Sequence, residues 1–210
     1  MEQRRILIQL LDTISRKMIE VEPELTELDS KIGDGDCGIG IKTGFSEVLE
    51  KIPQWQEDSI SDILKKTGMT LVSSIGGTSG AILGTGFMRM AMQAKDKIYL
   101  TMKDCADLLC VALKGMSERG ENTQIGDKTM IDALAPAVEV FRRAAKTQLN
   151  LKQGLREAAV AAKKGSDSTI DMIAKKGRAS YLGERSRGNR DAGSMAIYYM
   201  FEAARDFFEA

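Results

Sequence analysis

Three aspartates, Asp29, Asp34 and Asp36, crowd into the stretch LDSKIGDGDCG from Leu28 to Gly38, with glycines between them. Like charges at this spacing repel unless something neutralises them. Three hard oxygen ligands can converge on a divalent cation, and magnesium, which binds through a few carboxylates plus substrate phosphates, suits such a cluster better than calcium. An EF-hand is excluded, because no glutamate stands at the twelfth position from Asp29 or Asp34. Gly33-x-Gly35-x-x-Gly38 matches the dinucleotide pattern by letter, but no strand precedes it and acidic residues fill the spacer where a pyrophosphate would sit. The same residues could also form a solvated turn, since Asp and Gly are common in turns.

Three further stretches gather glycine, hydroxyls and charge. In SSIGGTSGAILG, Ser73 to Gly84, the glycines Gly76, Gly77 and Gly80 let backbone approach a ligand, and Thr78 and Ser79 place hydroxyls and amides at a helix start, where anions are favoured. It is not a P-loop, and a close-packed interhelical turn would use the same residues. In RGENTQIGDKTMIDAL, Gly120 and Gly126 flank a polar turn, and Asp127 or Thr129 can cap the next helix. RASYLGERSRGNRDAG carries Arg178, Arg185, Arg187 and Arg190, which could close over a phosphate as a lid or lie in a salt-bridged surface loop. The chain has no histidine, so Ser-His-Asp and Cys-His catalysis and histidine-ligated zinc are excluded.

The elements that must position these loops are helical. Leu7, Leu10, Leu11, Ile14, Met18 and Val21 recur at spacings of three and four up to Pro23. Similar periods predict helices up to Pro53, from Ser59 to Ile75, from about Ala81 to Ala94, from a Thr101/Asp104 capping box to Gly120, and from Met195 to Phe208. Two more lie between, and Pro136 is expected to bend the first. No convincing strand alternation occurs, so the fold class is all-α, an antiparallel bundle or barrel of about eight amphipathic helices. Alternate loops of such a bundle share one end, which would bring carboxylates, glycine-helix amides and arginines together, as nucleotide-magnesium phosphoryl transfer requires.

The 210 residues are read as a single nucleotide-binding domain, 1–210, without a linker. Thirty basic and thirty acidic residues balance, which excludes a global field for nucleic acid or an anionic membrane. Three cysteines at unrelated spacings give no disulfide framework, with Cys105 and Cys110 expected as small core residues, and a charged N-terminus reads as neither signal peptide nor span. A cytoplasmic location is expected.

The blocks LTELDSKIGDGDCG, KTGMTLVSSIGGTSG, GDKTMIDALAP and GRASYLGERSRGNRDAG, in this order, resemble the ADP-binding L-subunit family of bacterial dihydroxyacetone kinases. The resemblance implies a barrel of eight antiparallel helices with ADP or ATP at one rim. It implies that Asp29, Asp34 and Asp36 hold two magnesium ions bridging the phosphates and act catalytically with Arg178. The nucleotide would be met by Cys37, Gly38, Ile39, Gly40, Gly77, Thr78, Ser79, Gly120, Thr129, Met130, Arg178, Asp191, Ala192 and Gly193. A separate K subunit would hold dihydroxyacetone, and a phosphotransferase-system M subunit would rephosphorylate ADP in place, using phosphoenolpyruvate. A homodimer is expected. This chain has Cys37 where the family usually has histidine, Ala81 where it has proline, and GNRDAG where it has GHxDPG. Those departures leave open a subunit using exchangeable ATP and another small ketose, or a nucleotide-sensing module that regulates a transcription regulator or kinase partner.

Overall fold

A computed structural model describes residues 2–147 and 149–210; Met1 and Gln148 lie outside the described residues. Among the described residues nine α-helices follow one another: α1 (Glu2–Glu20), α2 (Glu22–Ile32), α3 (Cys37–Lys51), α4 (Ile60–Ser74), α5 (Gly77–Gln93), α6 (Met102–Arg119), α7 (Met130–Lys146), α8 (Leu151–Ser168) and α9 (Ala192–Glu209). Short 3₁₀ segments occupy Ile52–Trp55, Thr169–Asp171 and Arg178–Ser186. No strand occurs among the described residues.

The expected count of eight describes the ring. Helix α1 packs on α3, α3 on α4, and so on in sequence to α9, which returns to α1 and closes a barrel. The ninth helix, α2, lies outside this ring against α3 and α9. Pro23 explains the split: it ends nothing by itself but sits in the first turn of α2, where its missing N–H is harmless. The buried face of α1, Ile8, Leu11, Ile14 and Met18, joins Phe45, Leu71, Leu83, Phe141 and Phe201 in one apolar core. An apolar cavity of about 340 Å³ lies among α1, α5, α6 and α9 residues such as Leu10, Phe87, Leu108 and Phe201. Cys105 and Cys110 are only half-buried, and all three cysteines are free thiols.

Two boundaries differ from the periodic reading. Helix α5 starts at Gly77, four residues earlier than expected, because the glycines read as a break are its first turn. A Cβ on Gly80 would lie 2.3 Å from the Ile75 carbonyl oxygen, so glycine here serves the tight α4–α5 corner. Helix α9 likewise begins at Ala192, since Asp191 caps it by accepting from the Ser194 N–H at 2.6 Å. Helix α7 runs unbroken through Pro136. Proline removes the donor for the Asp132 carbonyl, and α8 packs at that point: a Cβ on Gly165 would lie 2.1 Å from the same oxygen.

Candidate functional site

The acidic corner forms where α2 ends and α3 begins. The Gly33 N–H donates to the Asp29 carbonyl at 2.5 Å, closing α2. The Cys37 N–H, first in α3, donates to Asp29 Oδ2 at 3.2 Å. The chain then folds Asp34 and Asp36 back, so that one carboxylate oxygen from each of the three aspartates lies within 4.8 Å of the others. Burial, and then the neighbouring Asp34 and Asp29 charges, push the Asp36 carboxyl above its usual range. Among the described residues the one cation paired with the trio is Arg178, whose Nε lies 2.7 Å from Asp34 Oδ2. Burial also pushes the Cys37 thiol far up, so it stands here as a neutral group.

Beside this corner an open cavity of about 930 Å³ is lined by all four of the loops singled out in the sequence. The barrel topology explains the convergence: α3, α5, α7 and α9 all begin at this rim, and Cys37, Gly77, Met130 and Ala192, their first residues, line the cavity. Four helix N-termini bring partial positive charge and N–H donors to one place. In two of the four, α3 and α5, the N-cap residue makes no side-chain bond to the first turn, although Asp29 takes the Cys37 N–H of α3. Thr129 and Asp132 form a capping box on α7, and Asp191 caps α9. Enclosure pushes the Asp191 carboxyl up to about 7, against the Ser194 N–H that holds it ionised.

Most of the anticipated residues come together here. Asp29, Asp34, Asp36, Cys37, Gly77, Thr78, Ser79, Gly120, Thr129, Met130, Arg178, Asp191, Ala192 and Gly193 all line the cavity. Gly38, Ile39 and Gly40 are not among its lining residues. A Cβ on Gly38 would lie 2.5 Å from the Glu22 carbonyl of α2, so this residue is a packing contact, and the Ile39 side chain faces solvent at 54 % exposure. Of the four arginines, Arg178 alone lines the cavity. Arg187 pairs with Glu184 at 3.5 Å, and Arg190 turns to Asp167 of α8 at 2.5 Å.

Lys128 was missed by motif reading. It is 1 % exposed, adopts a left-handed backbone conformation (φ 64°), and lines the cavity floor. Its ammonium donates to three carbonyls, those of Thr169 (2.5 Å), Met172 (3.2 Å) and Asn189 (2.5 Å). Desolvation pulls the ammonium below its ordinary value, and Asp191, Asp132 and Asp171 oppose that shift. No sequence pattern marks this site, because carbonyls belong to every residue and these lie 41, 44 and 61 positions away.

The DAK2 domain profile matches residues 31–206. The ADP-binding subunit DhaL of the PEP-dependent dihydroxyacetone kinase of Escherichia coli (strain K12) is 42 % identical over 178 residues, 85 % of this chain and 84 % of that one. A DhaL subunit of Listeria innocua is 35 % identical over 196 residues, 93 % of this chain and 92 % of that one. In fold, the chain is similar to the dihydroxyacetone kinase of C. freundii crystallised with AMP-PNP and Mg²⁺: TM-score 0.75, 24 % identity, covering 96 % of this chain. This chain spans only 34 % of the length of that kinase. By the profile match and by these full-length likenesses, the chain belongs to the DAK2-domain family, the family of the ADP-binding subunits of dihydroxyacetone kinases.

Proposed function

We propose that this chain is the nucleotide-binding, phosphoryl-transferring subunit of a cytoplasmic dihydroxyacetone kinase. In this reading it holds ADP or ATP with two magnesium ions and passes the γ-phosphoryl group to dihydroxyacetone presented by a separate K subunit, while an M subunit of the phosphotransferase system recharges ADP in place. The observation that carries the reading is the juxtaposition of three carboxylates with the uncapped N-termini of α3 and α5 on one cavity.

Magnesium fits the residues present. The donor set is entirely carboxylate oxygen, the atoms lie within 4.8 Å of one another, and among the described residues the only cation paired with them is Arg178. Asp29, Asp34 and Asp36 would hold it, and when bound it would neutralise charge on the nucleotide phosphates. The amides of the first turns of α3 and α5, with the hydroxyls of Thr78 and Ser79, orient phosphate oxygens at the positive helix ends. Ile82, Met130 and Ile131 give a nucleobase an apolar wall. Arg178 brings a guanidinium to the same corner, where negative charge on the transferred group accumulates. The chain has no histidine, and the corner supplies positioning and charge neutralisation, which are the dominant needs of this reaction class. The Escherichia coli and Listeria innocua relatives are named as ADP-binding subunits of their kinases, which supports an acceptor site on a separate partner here.

The test is direct. Freshly purified protein is denatured and any released nucleotide identified; phosphoenolpyruvate with carrier proteins, or ATP alone, is then supplied with a K subunit and dihydroxyacetone. Retained ADP and transfer dependent on phosphoenolpyruvate are expected. Absence of sugar phosphate under both conditions would overturn the reading.

A further inference from the structure

The arginine-bearing segment leaves the barrel after α8 and returns at α9, and its two ends meet at one point. Gly188 N–H donates to the Ile170 carbonyl at 2.8 Å. Ala174 N–H donates to Ser186 Oγ at 2.9 Å, and Ser186 is fully buried. Between these contacts, Arg178 projects from the 3₁₀ segment that follows Gly177 (φ 63°) and reaches Asp34. The segment is therefore a loop with a pinned neck and a cationic tip.

Lys128 passes through that neck. Thr169 and Met172 belong to its outgoing limb, Asn189 to its returning limb, and the ammonium donates to carbonyls of both. An ammonium has three N–H donors, and all three are used. None is left for a ligand. A buried lysine bonded only to neutral carbonyls gains less than one paired with a carboxylate, and its left-handed backbone adds strain. Stability alone would be served as well by an apolar side chain and a tighter turn. What the arrangement does supply is a fixed distance between the α6–α7 loop, which carries Gly120 and Thr129, and both feet of the arginine loop. Thr169, clamped through its carbonyl, also accepts the Asp191 N–H at 3.0 Å through its hydroxyl, which carries the constraint to the first turn of α9.

We infer that Lys128 is a positioning residue that sets the reach of Arg178 to the acidic corner by pinning both ends of the loop that carries it. This rests on the nucleotide reading above. Lys128 acts through Arg178 and touches no substrate.

The experiment compares the wild-type chain with Lys128→Met, Arg178→Gln and the double variant, measuring ADP binding with Mg²⁺ by calorimetry and amide exchange of residues 177–187 without nucleotide. Lys128→Met should weaken ADP binding about tenfold and speed exchange in the loop. Arg178→Gln should then add little in the Lys128→Met background, because the unpinned arginine no longer contributes. Unchanged binding in Lys128→Met, or two effects that simply multiply, would overturn the inference. If Lys128→Met does not fold, Lys128→Ala is titrated with n-butylammonium and, separately, n-butanol. Restoration of slow loop exchange and of binding by the amine alone supports the inference, and any other result assigns Lys128 to general stability and defeats it. A wild-type chain that takes up no ADP would fault the nucleotide reading, while the exchange data without nucleotide still report on whether Lys128 pins the loop.

Discussion

The two rims of the barrel treat their helix ends differently. At the far rim α4, α6 and α8 begin, and each is closed by its own sequence: Ser59 accepts from Asp62 N–H, Thr101 from Asp104 N–H, and Asn150 from Gln153 N–H. At the near rim α7 and α9 are capped in the same way, but α3 and α5 begin with no bond from an N-cap side chain, and three carboxylates stand beside them with Arg178 on Asp34. The first arrangement satisfies its polar groups locally and gains stability. The second leaves first-turn donors uncapped and sets three carboxylates against a single cation at the cavity, and such groups are retained where a ligand completes them. The difference separates helix ends that build the barrel from helix ends that serve a site.

The sharpest way to break this contrast is Asp34→Ala. If the near rim exists for a ligand, removing one carboxylate should cost ADP retention and phosphoryl transfer about 10²-fold or more, while the fold survives. The apo protein should lose little stability, because the lost pair with Arg178 is solvent-exposed and a like charge beside Asp36 is relieved. Nucleotide release assays and thermal melts check both halves. Wild-type transfer in this variant would defeat the assignment. Next in size is Asp132→Ala, which deprives the Gly126 and Thr129 N–H groups of a buried acceptor. It should destabilise by about 2–3 kcal/mol in denaturant unfolding. At the far rim, Thr101→Ala should cost about 1 kcal/mol of stability and leave ADP affinity unchanged, as expected of a cap that holds only its own helix.

The same contrast decides what could be read in advance. The far-rim box of Thr101 and Asp104 was legible because cap and partner are three residues apart. The acidic corner was legible because its members crowd one short stretch, and the convergence of four loops follows from antiparallel helices alone. Less was visible where a residue answers to distant backbone. Gly80 reads as a helix breaker until the approach of Ile75 is known, and nothing in the sequence shows that Gly38 also admits α2 against α3. Lys128 had no visible partner, and the place of α2 outside the ring is a property of the closed set that no local period shows. The ion pairs of Arg187 and Arg190 likewise depend on where their loop is anchored.

The smallest expected effect sharpens the comparison through pH, since the rims should titrate with opposite signs. At the far rim, the Lys97 ammonium and the Thr101 hydroxyl and N–H hold the Asp104 carboxyl well below the usual carboxylate range. That stabilisation is present above the unfolded value near 3.8 and fades as acid protonates the folded carboxylate. At the near rim, Asp191 is pushed up to about 7 by enclosure, so between the unfolded value of 3.8 and 7 the folded chain binds the extra proton. Its contribution is fully present below 3.8 and is lost as pH rises through 7. In nucleotide-free protein, stability measured by denaturant unfolding should fall from pH 5 to 7 and flatten above it. Asp191→Asn, which keeps an oxygen for the Ser194 N–H, should abolish that slope and leave the acid limb governed by Asp104 intact. An unchanged slope would place the titrating group elsewhere and remove Asp191 from the set of near-rim groups held in an unfavourable charge state. A slope that vanishes in wild-type protein when ADP and Mg²⁺ are added, but not in Asp34→Ala, would tie Asp191 to the acidic corner, since both face the one cavity and the Asp29 charge already contributes to its rise.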